Sequence, residues 1–175
     1  MNDEILFREV QKFNQWWLWS IVIGANLVLL VIIVVLLVKQ PFGDKPSVKL
    51  LLLLAAGVSI VPTVLFLNFR LETQVKQDGV YARFFPLHLS WQKYGWNTIA
   101  ESYVRQYDPL GEYGGWGIRW NGSGKAFNVA GNKGLQLVFA DNKKLLIGTN
   151  KPEELAETLK RIDQIKPPQQ SATNK

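Results

Sequence analysis

No charged residue stands between Lys12 and Lys39, and the centre of that interval, Leu27 to Val38, is twelve consecutive Leu, Val and Ile residues. Little else in the chain limits its fold so strongly. At about −0.3 to −0.6 kcal/mol per residue on an insertion scale, these residues favour a bilayer by roughly 4 to 7 kcal/mol. A second uncharged run, Leu50 to Phe69, contains twenty residues. As a helix it would reach about 30 Å, the thickness of a hydrocarbon core. The pattern predicts membrane helices over 16–38 and 50–69, joined by a polar loop, 39–49, that turns at Pro41, Gly43 and Pro46. The start, Met1-Asn2-Asp3-Glu4, is acidic, and no small-residue cleavage site follows the run. The first helix is therefore expected to be retained rather than removed as a signal.

Residues 1–15 alternate charge with Ile5, Leu6, Val10 and Phe13, a composition that suits a short interfacial helix. Trp16, Trp17 and Trp19 cluster where the apolar run begins. They are expected to contact lipid at head-group level, the alternative being packing against the second helix. Asn26 is the strongly polar group deep in the first run, and Ser59 or Thr63 would meet it across the helix pair. Neither run contains Asp, Glu or Arg, which argues against a proton-coupled transporter or a channel. Arg8, Lys12, Arg70, Lys76 and Arg83 outnumber Lys39, Lys45 and Lys49 across the bilayer. That bias places both termini, and the large segment after Arg70, in the cytoplasm.

Residues 70–166 read as one small domain, with a disordered tail over 167–175. Leu71–Lys76 and Val80–Phe85 flank Gln77-Asp78-Gly79, a hairpin signal. Further strands are expected at 98–107, 117–120, 126–129, 134–139 and 144–148, whereas 87–95 is ambiguous. A helix follows, with Asn150 as cap, Pro152 in the first turn, Glu153 as capping-box acid, and Leu155, Leu159 and Ile162 as its apolar stripe. The fold class is thus a membrane helical hairpin followed by a mainly-β barrel of about seven strands, closed by a C-terminal helix.

The run Gly111-Glu112-Tyr113-Gly114-Gly115-Trp116-Gly117-Ile118-Arg119 resembles that of uncharacterised bacterial two-span membrane proteins with a pleckstrin-homology-like domain. Gly124-Lys125-Ala126-Phe127-Asn128-Val129 and Leu146-Ile147-Gly148-Thr149 extend the resemblance, which covers about Leu71 to Ile162 and the two apolar runs. It implies a pleckstrin-homology-like fold at a bacterial inner membrane, and no reaction. Eukaryotic members of that fold often bind phosphoinositides through bases on the first strand pair. Here Lys76 and Arg83 stand on that pair, but Tyr81 occupies a position where the lipid-binding pattern has a base.

The chain has no cysteine and a single histidine, His88, which excludes cysteine-based redox or metal sites and two-histidine metal motifs. No metal or cofactor is expected. The glycines from Gly111 to Gly124 suggest a phosphate loop, but Arg119 stands where a P-loop needs its first Gly, and Ala126 where it needs Ser or Thr. They are better read as glycines of tight hairpins. Tyr113, Trp116, Arg119 and Trp120 then become candidate contacts for a protein partner, because Trp, Tyr and Arg dominate interface energetics. From Arg70 to Thr149 ten bases face six acids. Lys76, Arg83, Lys93, Lys125 and Lys133 are candidate contacts for anionic lipid. A nucleic-acid interface would require a denser basic stripe. The expected function is a non-enzymatic binding or assembly module, anchored in the bilayer, partnered by another membrane or membrane-proximal protein, with room for a homo-oligomer. An anionic-lipid sensor is the alternative, and an unrecognised enzyme the third reading.

Overall fold

The computed structural model describes residues 4–39 and 46–167. The chain divides into two compact units, Phe13–Phe69 and the combination of Met1–Lys12 with Arg70–Lys175. The expected loop 39–49 and tail 167–175 fall largely on positions outside the described residues.

The first unit is a pair of helices, α1 (Trp16–Lys39) and α2 (Pro46–Asn68). Among the described residues one helical stretch, Trp16–Val35, is long and apolar enough to cross a membrane, and none of it is buried. The helices touch where sequence suggested they would. Asn26 Nδ2 donates to the Val22 carbonyl at 2.7 Å and reaches Thr63 Oγ1 at 3.3 Å; the Ser59 side chain lies outside the described residues. Trp19 meets Phe66 edge-on at 5.9 Å and donates its indole N–H to the Phe13 carbonyl at 2.9 Å. Trp19 therefore serves helix packing, whereas the Trp16 side chain stands out at 79% exposure.

The second unit corrects the reading of the N-terminal segment. Residues expected to form an interfacial helix are instead a strand, β1 (Ile5–Lys12), paired antiparallel with β2 (Arg70–Lys76) from Ile5↔Lys76 to Lys12↔Arg70. The helical pair is thus inserted between two neighbouring strands of one domain rather than preceding it. The cause of the misreading is that β1 turns polar residues inward: Phe7, Glu9 and Gln11 are buried while Arg8, Val10 and Lys12 face out. Glu9 is tolerated there because its carboxylate accepts from Thr149 Oγ1 at 2.6 Å and from the Asn150 N–H at 2.8 Å. Gln11 donates to the Gly148 carbonyl at 2.6 Å.

The first sheet is the antiparallel meander β1-β2-β3-β4, completed by β3 (Gly79–Phe85) and β4 (Gln92–Gly95). Trp96 ends it. Its buried ring anchors a short 3-10 turn, Trp96–Thr98, and its indole donates to the Lys76 carbonyl at 3.1 Å, redirecting the chain. The second sheet has the order β5-β8-β9-β7-β6. It comprises β5 (Ile99–Gln106), β6 (Gly117–Asn121), β7 (Gly124–Asn128), β8 (Lys133–Phe139) and β9 (Lys144–Gly148), with β7 and β9 parallel. Among the described residues, nine strands in two sheets replace the expected seven in a closed barrel, the additions being β1 and β4. Leu71, Val75, Val80 and Phe84 of the first sheet, and Phe127, Leu135, Leu137 and Ile147 of the second, are buried.

Helix α4 (Pro152–Arg161) buries Leu155 and Leu159 and packs near β1, β5 and β8. Its start also corrects the sequence reading. Lys151, not Asn150, is the capping position and offers no side-chain cap. Thr149 Oγ1 accepts from the Lys151 N–H at 3.0 Å, so the first turn is tied through Thr149 to Glu9. Glu153 pairs with Lys133 at 3.2 Å. After α4 the chain returns along β5, where Ser102 and Lys166 exchange both backbone hydrogen bonds at 2.8 Å, covering that edge of the second sheet.

Candidate functional site

A cleft of about 900 Å³ opens where β4 of the first sheet faces the β6–β7 and β8–β9 turns of the second. Its shape follows from local chemistry. Gly124 begins β7 at φ +108°, and a Cβ there would come within 2.6 Å of the Lys144 carbonyl. Only glycine lets β7 lie this close to the start of β9. Asp141 and Asn142 turn β8 into β9, with Asn142 at φ +63°. On the opposite wall Gln92 and Tyr94 pair with the buried Ala82 and Val80, so they point to the inner side of the first sheet.

The walls are aromatic and the rim is basic. Tyr94 and Phe139 meet with ring centroids 5.8 Å apart, and the Tyr94 hydroxyl donates to Gln92 Oε1 at 2.8 Å. Burial pushes the Tyr94 hydroxyl pKa up to about 12, so it stays protonated as a donor. Trp120, at the end of β6, is 84% exposed at the rim. Lys143 closes on Asp141 at 2.6 Å. Lys125 has no carboxylate within ion-pair distance among the described residues, and Lys144, paired with Val138, belongs to the other face of the second sheet from Lys125 and Trp120. The Lys125 ammonium lies over the Phe127 ring at 4.6 Å, and burial holds its pKa below the usual lysine value.

The residues singled out from sequence separate. Of the four partner-contact candidates, Trp120 alone lines the cleft. Tyr113 is buried, meets Tyr107 edge-on at 6.0 Å and is reached by Arg105 at 3.4 Å, so it is a packing residue. Trp116 is half-buried and donates to the Gly131 carbonyl at 3.2 Å. Arg119 is exposed on β6, one residue out of phase with Trp120 and hence on the other face of the strand.

The lipid-contact candidates divide as well. Trp16, Trp17 and Trp19 belong to the helical unit. Register places Lys76, Arg83 and Lys93 on the outer face of the first sheet, where most charge is already matched. Arg83 pairs with Glu72 at 2.7 Å and stacks on Trp91 at 4.5 Å, and Lys93 pairs with Asp78 at 2.6 Å. Burial raises the Glu72 carboxyl pKa, but hydrogen bonds from Arg83 and Arg70 outweigh it and leave the group below its ordinary value. Lys133 is paired with Glu153, and Lys125 is in the cleft.

Asp108, Glu112 and His88 each make local contacts. Asp108 caps the short helix α3 (Pro109–Tyr113) by accepting from the Leu110 N–H, and Glu112 binds Arg105 through both oxygens at 3.1 and 2.7 Å. His88 Nδ1 accepts the Phe84 N–H at 3.2 Å and its ring stands edge-on to Phe127. None of the three lines the cleft. Among the described residues no group of three His, Cys, Asp or Glu could hold a metal. Sequence reasoning missed Tyr94, Phe139 and Lys144 as site residues. Tyr94 lay in the ambiguous stretch 87–95, and Phe139 and Lys144 read only as strand ends.

A model described as a family of unknown function (DUF6141) matches residues 2–162 of this chain. No curated protein and no solved structure matches it.

Proposed function

The chain belongs to the DUF6141 family of unknown function, and from that premise we propose that it is a bilayer-anchored, non-enzymatic binding module that captures a protein partner in the cleft beside Trp120. The anchor is read from strand pairing. Lys12 of β1 sits opposite Arg70 of β2, so the residues before α1 and after α2 belong to one folded unit and lie on one side of any membrane. If α1 crosses, the chain must cross back before Arg70, and the uncharged run Leu50 to Phe69 is the segment available to do so. The same pairing argues against a cleaved signal, because cleavage after α1 would remove Phe7, Glu9 and Gln11 from the core. The basic flanks favour a cytoplasmic side for both termini. The pleckstrin-homology-like reading of the domain rests on the sequence resemblance and on the C-terminal helix α4.

One observation carries the binding reading: an exposed indole at the rim of a cleft with aromatic walls, beside the half-buried Lys125. Surface tryptophans of this kind are the residue type most enriched among interface hot spots. An anionic-lipid sensor ranks behind it, because Arg83, Lys93 and Lys133 are each neutralised by an acid of the domain itself. To test the reading, a photoreactive amino acid replaces Trp120 and native membranes are irradiated. The expected result is a discrete protein adduct that disappears when Lys125→Glu is added; adducts to lipid alone, or none, would overturn it.

A further inference from the structure

The turn between β3 and β4, residues 86–91, carries two leucines that the domain leaves uncovered. Leu87 is 61% exposed, and Leu89, at 76%, is the most exposed large aliphatic side chain described in its unit. The residue between them imposes this. The His88 N–H donates to the Phe84 carbonyl at 2.8 Å, its Nδ1 accepts the Phe84 N–H at 3.2 Å, and its ring stands edge-on to Phe127. With His88 fastened inward, the leucines on either side of it face out. Resting on the bilayer anchor of the reading above, we propose that this turn is a second membrane contact, in which Leu87 and Leu89 insert into the head-group layer of the bilayer that holds α1.

Strand register brings the turn to the place where the chain joins its anchor. Lys12, Arg70 and Phe85 lie side by side across β1, β2 and β3, at the end of the sheet opposite the Lys76↔Gly79 pair. The uncharged run ends at Phe69, so Arg70 is the first residue past it, and Phe85 is one strand spacing, about 4.8 Å, from Arg70. Leu87 follows Phe85 at a distance of at most about 7 Å. These lengths match a head-group layer about 5 to 8 Å deep. The neighbours suit the same layer: Arg70 lies over the Phe85 ring and Arg83 over Trp91, each at 4.5 Å. Aromatic rings and guanidinium heads settle together at a membrane surface. Both guanidiniums already close on Glu72, at 2.5 and 2.7 Å, so the contact is carried by apolar insertion and a neutral lipid suffices for it. The occupant is the bilayer rather than a diffusing partner, because the covalent anchor keeps that surface beside the turn.

The absence of cysteine makes single-site labels specific. Leu87→Cys, Leu89→Cys and, at the far turn of the same sheet, Gln77→Cys are each labelled with a polarity-sensitive dye. All three sites are exposed, so cysteine there leaves the core intact. The full chain is held in phosphatidylcholine nanodiscs, with or without a lipid that carries a nitroxide at its head group. The expected result is a dye at 87 and 89 that is blue-shifted and loses most of its emission to the nitroxide, in low and high salt alike, while the dye at 77 does neither. A blue shift without quenching would mean that protein covers the turn. That outcome, equal quenching at all three sites, no quenching at 87 and 89, or quenching that high salt abolishes would each overturn the proposal. Carbonate extraction separates it from the anchor. A chain retained in the pellet whose leucine sites are unquenched loses this contact and keeps its anchor, whereas a chain that washes off loses both.

Discussion

Glu9 shows how one residue can tie the two ends of a domain together. Its carboxylate joins β1 to the start of α4 across a separation of about 140 positions, through Thr149 and the Asn150 N–H. Glu9→Ala leaves those donors unmet inside the protein and should cost about 1 to 3 kcal/mol, against about 0.5 kcal/mol or less for the exposed Arg8→Ala. Chemical denaturation of the two variants side by side measures this, and equal midpoints would refute it. Gly124→Ala should be as damaging, about 1 to 3 kcal/mol, because its φ of +108° and the nearby Lys144 carbonyl leave no room for a Cβ. His88 supplies a pH dependence. Burial first, and the Lys125 charge second, lower its pKa, and its Nδ1 is needed as an acceptor for the Phe84 N–H. The unfolded chain therefore takes up a proton near pH 6.5 before the folded one does. Stability is full above that pH and declines as pH falls through the window beneath it. The carboxylates of Glu72, Asp78 and Glu112, all lowered, add their own loss only at more acidic pH. A stability profile that is flat from pH 5 to 8, or a decline there that His88→Gln leaves unchanged, would remove His88 from this role.

Among the elements, β1 governs what can be cut. It supplies Phe7, Glu9 and Gln11 to the interior and one whole ladder to the first sheet. A fragment starting at Arg70 exposes the faces that β1 covers and should show no cooperative unfolding. Because Lys12 and Arg70 face each other across the ladder, a two-residue Asn-Gly turn can replace Phe13–Phe69. That shortened chain should be soluble without detergent and melt cooperatively. If the fragment from Arg70 melts as sharply as the shortened chain, β1 contributes less than its burial indicates. The edges are handled by different devices: β5 is covered by the Ser102–Lys166 bridge, while β4 and β6 end their sheets beside the cleft.

For the whole molecule, the proposed anchoring rests on the pairing of β1 with β2, which brings the chain back after α2 to the unit it left before α1. The full chain is expected to remain in the membrane pellet after carbonate extraction, and a cytoplasm-dependent reporter fused after Lys175 should be active. Activity only of an exported reporter would invert the orientation. An odd number of crossings would contradict the pairing of β1 with β2.

Much of this architecture was legible locally. The apolar helix, seven of the nine strands among the described residues, and α4 follow from charge-free length, alternation of apolar residues and helix-end chemistry, each carried by neighbours in sequence. What only the tertiary structure decided is where polar groups find partners. β1 could not be recognised because Glu9 and Gln11 face inward, and their acceptors and donors lie at Gly148, Thr149 and Asn150. Tyr113 looked like a contact residue until packing buried it, and Lys144 and Tyr94 became site residues only when two sheets met. Periodicity reports which face of an element is apolar. It carries no information about a hydrogen bond or a cleft wall contributed by residues far along the chain.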